Sequence, residues 1–203
     1  MIEKPAITEQ KIEKVIAERW SGRAYDPTTP ITNEQVTALC EAARWAPSCF
    51  GDQPWRFVVW NRHEDEVSWQ GALDCLVPGN QEWAKNASVL ILAASVKTFT
   101  HNGNANRWVG YDTGAASVSL CLQATAMGLM SHQMGGFDSS KLKANFALPE
   151  DIDLWAMIAV GHPAALDTLN EEELTRELNA RERRPLSTMF YRGDWDVPLN
   201  SGE

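Results

Sequence analysis

The chain is poor in the residues that staple or metallate small proteins. Its four cysteines, Cys40, Cys49, Cys75 and Cys121, stand in unrelated segments with no Cys-x-x-Cys spacing. That argues against a metal knuckle or a disulfide framework and fits reduced thiols in a cytoplasm. Histidine is equally scarce: His63, His101, His132 and His162 occur singly, without metal-ligand spacing, so no metal site is expected. No apolar run approaches the roughly 18 residues that would cross a bilayer, and Met1 to Trp20 lacks a signal-peptide type core. No Gly-x-Gly-x-x-Gly follows a predicted strand, so a Rossmann site for tightly held NAD is not supported. Positive charge is in deficit, 18 Lys and Arg against 27 Asp and Glu, for a net charge of -9. A nonspecific grip on nucleic acid or an anionic membrane would work against that field. Any anion must therefore be held by a local cluster.

What remains is ordinary globular material. With 44% hydrophobic and 22% charged residues in 203, the chain can bury one sizeable core. No repeat, low-complexity tract or linker divides it, so residues 1–203 read as one domain. The nine tryptophans serve equally to fill a core or to line a cavity for a flat ligand.

Periodicity gives alternating helices and strands. Thr8, Ile12, Val15, Ile16 and Trp20 predict a helix over roughly 9–20. Thr32 to Gln35 has the form of a capping box opening a second helix that Pro47 stops. A strand over Arg56 to Trp60 precedes an amphipathic helix from Glu64 to Leu76 and a short one from Asn80 to about Ala87. Val89 to Val96, almost continuously apolar, reads as a strand buried on both faces. Trp108 to Leu129 predicts one long helix, rich in Gly and Ala and suited to a core or a subunit interface. Ser131 to Phe137 reads as a strand running into a Gly-Gly turn, Ser139 as a helix cap, Asp153 to Val160 as a strand, and Glu171 to about Arg183 as a charged helix. The expected class is α+β, with helices flanking one central mixed sheet.

Two segments carry candidate chemistry. Arg19-Trp20-Ser21-Gly22-Arg23 concentrates two guanidiniums and a hydroxyl, a donor set matched to a phosphate monoester. It also suits a solvated helix terminus offsetting the dipole. The loop from Ala46 to Phe57 is made rigid by two prolines, and its Ser48 and Gln53 can contact a flat heteroaromatic ring. An ordinary helix-to-strand connection would use similar residues.

Five motifs occur in order: Arg-x-Ser-x-Arg-x-Tyr from Arg19; Ala-Pro-Ser-x-x-x-x-Gln-Pro-Trp-x-Phe from Ala46; Gly79-Asn80-Gln81-x-Trp83; Tyr111-Asp112-Thr113-Gly114-Ala115; and His132-Gln133-Met134-Gly135-Gly136-Phe137-Asp138. Together they resemble the nitroreductase-type FMN-dependent flavoproteins, from about Arg19 to the Trp195 region. The resemblance implies a nitroreductase-like α+β fold, its central sheet mixed and mainly antiparallel, in an intertwined homodimer with two FMN sites at the subunit interface. It puts Arg19, Ser21 and Arg23 on the FMN phosphate, joined by Arg183 or Arg184. Pro47, Ser48, Cys49 and Gln53 would line the ring or ribityl chain, and Asn80 the pyrimidine edge. Gln133, Met134, Gly135 and Gly136 would approach the isoalloxazine, the Gly135 amide pointing at N5 to stabilise charge developing there. Phe50 and His132 could contact substrate.

The implied activity is ping-pong transfer from NAD(P)H, a transient co-substrate, through FMN to a small organic acceptor such as a nitroaromatic or quinone. Many members carry Asn where this chain has Gly51. That departure leaves room for specialised chemistry on the same fold, such as reductive dehalogenation or flavin breakdown. A dimeric binding module that has lost the flavin is the other alternative.

Overall fold

The computed structural model describes residues 3–199, so the remaining residues of the predicted 1–203 domain lie outside the described part. Four strands form one sheet in the order β1-β2-β4-β3: β1 Trp55–Asn61, β2 Val89–Val96, β3 Met130–Met134 and β4 Ile152–Gly161. Each neighbouring pair is antiparallel. The expectation of a mixed sheet is thus corrected. β2 and β3 do run the same way, but β4 inserts between them, so the parallel pair never forms. Between Ala93 and Ala94 the β2–β4 register slips around Trp155, a bulge that turns this ring outward to bond Ser95 Oγ at 2.9 Å.

Each sheet face carries its own core. On one, Trp60, Leu90, Leu92 and Met157 pack under α3 Glu66–Leu73, α4 Pro78–Ala84 and α6 Ser139–Phe146, which contribute Trp69, Trp83 and Leu142. On the other, Ile91, Ile158 and Val160 meet α2 Asn33–Arg44 and α5 Val109–Ala126 through Leu39, Ala43, Ala116, Leu120 and Ala124. β2, serving both cores, is buried almost throughout. Trp55, Trp60, Trp69 and Trp83 are therefore core residues rather than cavity lining.

The capping box of α2 forms as its sequence requires, Gln35 N donating to Thr32 Oγ1 at 3.3 Å and Thr32 N to Gln35 Oε1 at 2.9 Å. Elsewhere boundaries move. α4 begins at Pro78, which needs no amide partner at a helix start. Asp138, not Ser139, caps α6 by accepting from Lys141 N at 2.9 Å. The first helix shrinks to α1 Lys14–Glu18, which buries no residue; it touches α5, but Ile12 and Ile16 stay 37% and 49% exposed, so their apolar spacing is only partly covered by the described residues. The last helix, α7 Glu171–Leu178, stops short of the predicted Arg183 because the chain turns extended at Asn179.

Candidate functional site

The Arg19–Arg23 loop is held from behind by charged groups that the chain carries inside. Helix α7 presents two buried carboxylates four residues apart, Glu173 and Glu177, at 4% and 1% exposure. Both oxygens of Glu177 accept from Arg23 N, at 3.0 and 3.1 Å. Glu173 Oε2 stands 2.9 Å from Arg23 Nε, out of line for a hydrogen bond but close enough for a strong ion pair. Burial raises the Glu177 carboxyl, while its bonds to the amides of Arg23 and Ala24 oppose the rise. Arg181 completes the frame. Its guanidinium donates to Ala17 O at 2.8 Å, Arg19 O at 3.0 Å and also Lys4 O. Arg19 Nη1 is left 3.5 Å from Ser21 Oγ, and its charge is felt at both Cys121 and His132.

β3 leads from this cluster to the Gly-Gly turn, its residues alternating between faces. Gln133 points to α5, Nε2 donating to Cys121 Sγ at 3.5 Å. His132 points the other way, its ring 4.5 Å from Trp83 and Nδ1 donating to Gly22 O at 3.1 Å. Burial pushes the His132 imidazole down to about 4; Arg23 and Arg19 add to this and the Gly22 bond opposes it. The Met134 side chain is core.

Beyond the strand, Gly136 O accepts from Val77 N at 3.0 Å and Asn80 Nδ2 at 3.1 Å, joining the turn to α4. A Cβ on Gly136 would come within 2.8 Å of Val77 Cγ2 and 3.0 Å of Asn80 Nδ2, whereas one on Gly135 would meet nothing within 4 Å. Gly135 is exposed beside Gly136, where a side chain would crowd those of Val77 and Asn80.

The loop of Pro47, Ser48, Cys49, Phe50 and Gln53 lies at the opposite end of α5. Cys49 N donates to Asp112 Oδ2 at 3.0 Å, in the first turn of the helix. Gln133 meets the same helix at Cys121, roughly 14 Å further along at the α-helical rise. Phe50 and Gln53 both have left-handed backbones, φ 54 and 49. Each such non-glycine residue costs on the order of 1 kcal/mol, offset here by Gln53 N donating to Ser48 Oγ at 3.0 Å and Gly51 N to Ser48 O at 2.9 Å. Gly51, φ +67, has open space at its Cβ position. Asn and Gly both tolerate that backbone, so the departure at this position removes a side chain without reshaping the loop.

Within one chain, then, Arg19, Ser21, Arg23, His132 and Gln133 gather, with Gly135, Gly136 and Asn80 continuing from them, while Pro47 to Gln53 stand apart. Arg183 and Arg184 are exposed; Arg183 donates to Glu182 O at 2.7 Å, and its charge is felt at Arg181. A cavity of about 340 Å³ behind the loop, bounded by Trp20, Ala24, Leu129, Met130, Pro163 and Glu177 among others, is lined by none of the gathered residues. Sequence reasoning missed Glu173, Glu177 and Arg181. The four-residue spacing of the glutamates was the one available signal, and it is equally that of a solvated face.

The chain belongs to the nitroreductase family, whose model matches residues 16–162. It is 32% identical over 124 residues to a 15.4 kDa protein of the ask 5′ region in Mycolicibacterium smegmatis, spanning 61% of this chain and 82% of that one. It is 27% identical over 84 residues to the major NAD(P)H-flavin oxidoreductase of Aliivibrio fischeri, 41% of this chain and 38% of that one. Among solved structures, an oxidoreductase containing FMN superposes with a TM-score of 0.87 at 33% identity, covering 93% of this chain and 95% of that one. The fold is nitroreductase-like, its four-stranded antiparallel sheet flanked by helices.

Proposed function

We propose that the chain, a single FMN-binding domain over residues 1–203, is a cytoplasmic FMN-dependent oxidoreductase. It would carry hydride equivalents from NAD(P)H to a small organic acceptor such as a nitroaromatic or quinone. The observation that carries this reading is the Arg19–Arg23 loop, whose backbone is held by Glu177 and Arg181 and whose Arg23 side chain is paired with Glu173, while the Arg19 and Ser21 donors stay together at its front. That donor set suits a phosphate dianion, and the chain's net charge of -9 offers no other general means of attracting one.

Arg19, Ser21 and Arg23 would hold the phosphate. Of the two later arginines we assign Arg183, because its charge and that of Arg19 are both felt at Arg181. Asn80, Gln133 and the backbone from Met134 to Gly136 would hold the ring system, with the Gly135 amide directed at the atom where charge develops. Bound FMN supplies the two-electron carrier that the protein's own side chains lack. The chain's part is to clamp, orient and exclude water.

The loop Pro47 to Gln53 would complete the site from a second copy, since in its own chain it meets α5 roughly 14 Å from where Gln133 does. α5 offers the contact: Tyr111, Gly114 and Val118 form an exposed stripe, and Gly114 has no neighbour within 4 Å of a built Cβ. The exposed Ile12 and Ile16 are further apolar surface for such a dimer.

The decisive experiment is a visible spectrum of the purified protein followed by anaerobic titration with NADH and with NADPH. A flavin spectrum that bleaches is expected with at least one of them. Stoichiometric FMN whose oxidised absorbance persists against both would refute the NAD(P)H reaction, and a protein that takes up no FMN would refute the site.

A further inference from the structure

Phe50 occupies a conformation and an environment that are each unfavourable, yet its surroundings are built to keep it there. Its backbone is left-handed, and the residue is 82% exposed. Two other rings meet it edge-on: Phe99 at 5.8 Å and 77°, and His101 at 5.6 Å and 62°. These meet each other at 5.2 Å. Both belong to the connection between β2 and α5, which closes on itself through the Thr98–Ala105 bridge and the bonds Phe99 N to Asn104 O and Gly103 N to Phe99 O, each 2.8 Å.

One carboxylate joins the two loops. Asp52 Oδ1 accepts from Thr100 N at 2.9 Å and Thr100 Oγ1 at 2.6 Å, and lies 4.0 Å from His101 Nδ1. The side chain is 1% exposed, and Oδ2 is buried without a partner. Isolated exposed apolar residues are common and carry no message. Three mutually contacting rings, held by a strained loop and a buried carboxylate, are instead a preorganised face with little rotamer freedom left to lose on binding.

The geometry points to Phe99 and His101, together with Phe50, as the residues that select a planar aromatic acceptor, and to Asp52 as the positioning residue that keeps their loops in register. This rests on the flavin reading above, in which the Phe50 loop covers the flavin of the other copy. A planar ring can stack on or meet the edges of these rings, whereas a saturated ring of similar size gains only area.

The test uses the FMN-loaded, oxidised protein without reductant, titrated calorimetrically with nitrobenzene and with nitrocyclohexane. Phe99→Leu and His101→Leu are expected to weaken nitrobenzene by roughly three- to tenfold and nitrocyclohexane by less than about twofold. Asp52→Ala should reproduce the loss, and Asp52→Asn, which keeps an acceptor for Thr100, should restore most of it. Equal losses for the two ligands, or none, overturn the proposal. FMN content, measured on each sample, separates the two failures: a wild-type protein without FMN overturns both readings, whereas a loaded protein with no aromatic preference overturns this one alone.

Discussion

Arg23 and Glu173 face one another between the phosphate loop and helix α7, Nε to Oε2 at 2.9 Å, the carboxylate side chain only 5% exposed. Removing one partner of such a pair leaves the other buried and uncompensated. Glu173→Gln should therefore cost about 2 to 3 kcal/mol in urea unfolding, slightly under the usual range because Arg23 is 22% exposed. FMN affinity should fall at least about tenfold, as a loop held out of shape binds at the cost of reordering it. Unchanged affinity in the variant would show that the carboxylate does not shape the loop.

The two adjacent glycines of the β3 turn should respond differently. Gly136→Ala brings a methyl within 2.8 Å of Val77 Cγ2 and forces Asn80 aside, so a loss of about 1 to 3 kcal/mol and of FMN binding is expected. Gly135→Ala meets no protein atom within 4 Å and should leave thermal stability nearly unaltered, any effect being confined to flavin affinity. Comparable melting temperatures for the two variants would contradict the packing described.

His132 predicts a specific pH dependence. Its folded value of about 4 lies below the ordinary 6.5, so the fold favours the neutral ring. The unfolded chain takes up the proton first as pH falls, so stability present above 6.5 is lost progressively toward 4, by about 2 to 3 kcal/mol from this group at pH 4.5. Glu177 works in the opposite direction, since its raised carboxyl takes up a proton more readily folded than unfolded. Comparing flavin-free wild type with His132→Asn by urea unfolding at pH 7.5 and 4.5 isolates the histidine. The variant should lose less stability than wild type over that interval; a parallel loss would count against the buried neutral ring.

Gly114 tests the proposed subunit contact. Its Cβ position is open on the exposed stripe of α5, so Gly114→Arg should fold as well as the wild type while placing a charge in the middle of the contact. Light scattering is expected to report a monomer with little FMN. A flavin-loaded dimer of wild-type mass would place the contact elsewhere.

Where a residue's partners are close in sequence, the structure was largely legible. β2 runs from Val89 to Val96 as its apolar run indicated, and Thr32 with Gln35 caps α2 through contacts three residues apart. What escaped depends on distant partners. Ile12 and Ile16 have helical spacing, but spacing stabilises a helix only when another surface covers it. Glu173 and Glu177 look like part of a solvated charged face until Arg23, 150 residues earlier in the chain or more, is brought against them. The same holds at the site. The motif from Arg19 to Tyr25 drew attention to one loop, whereas nothing in Arg-Glu-Arg-Arg distinguishes Arg181, whose donors go to backbone carbonyls, from its exposed neighbours.

The separation of Cys49 and Gln133 along α5 has a genetic consequence if the dimer is as proposed. Each copy would lend one half of a working centre and borrow the other half, so lesions in different halves belong to different complementation groups. A chain crippled at Arg19 and Arg23, co-refolded with one crippled at Ser48 and Phe50, would concentrate both injuries at one centre of the hybrid and leave its twin whole. Random assortment then returns about a quarter of the original centres from two parents that have none.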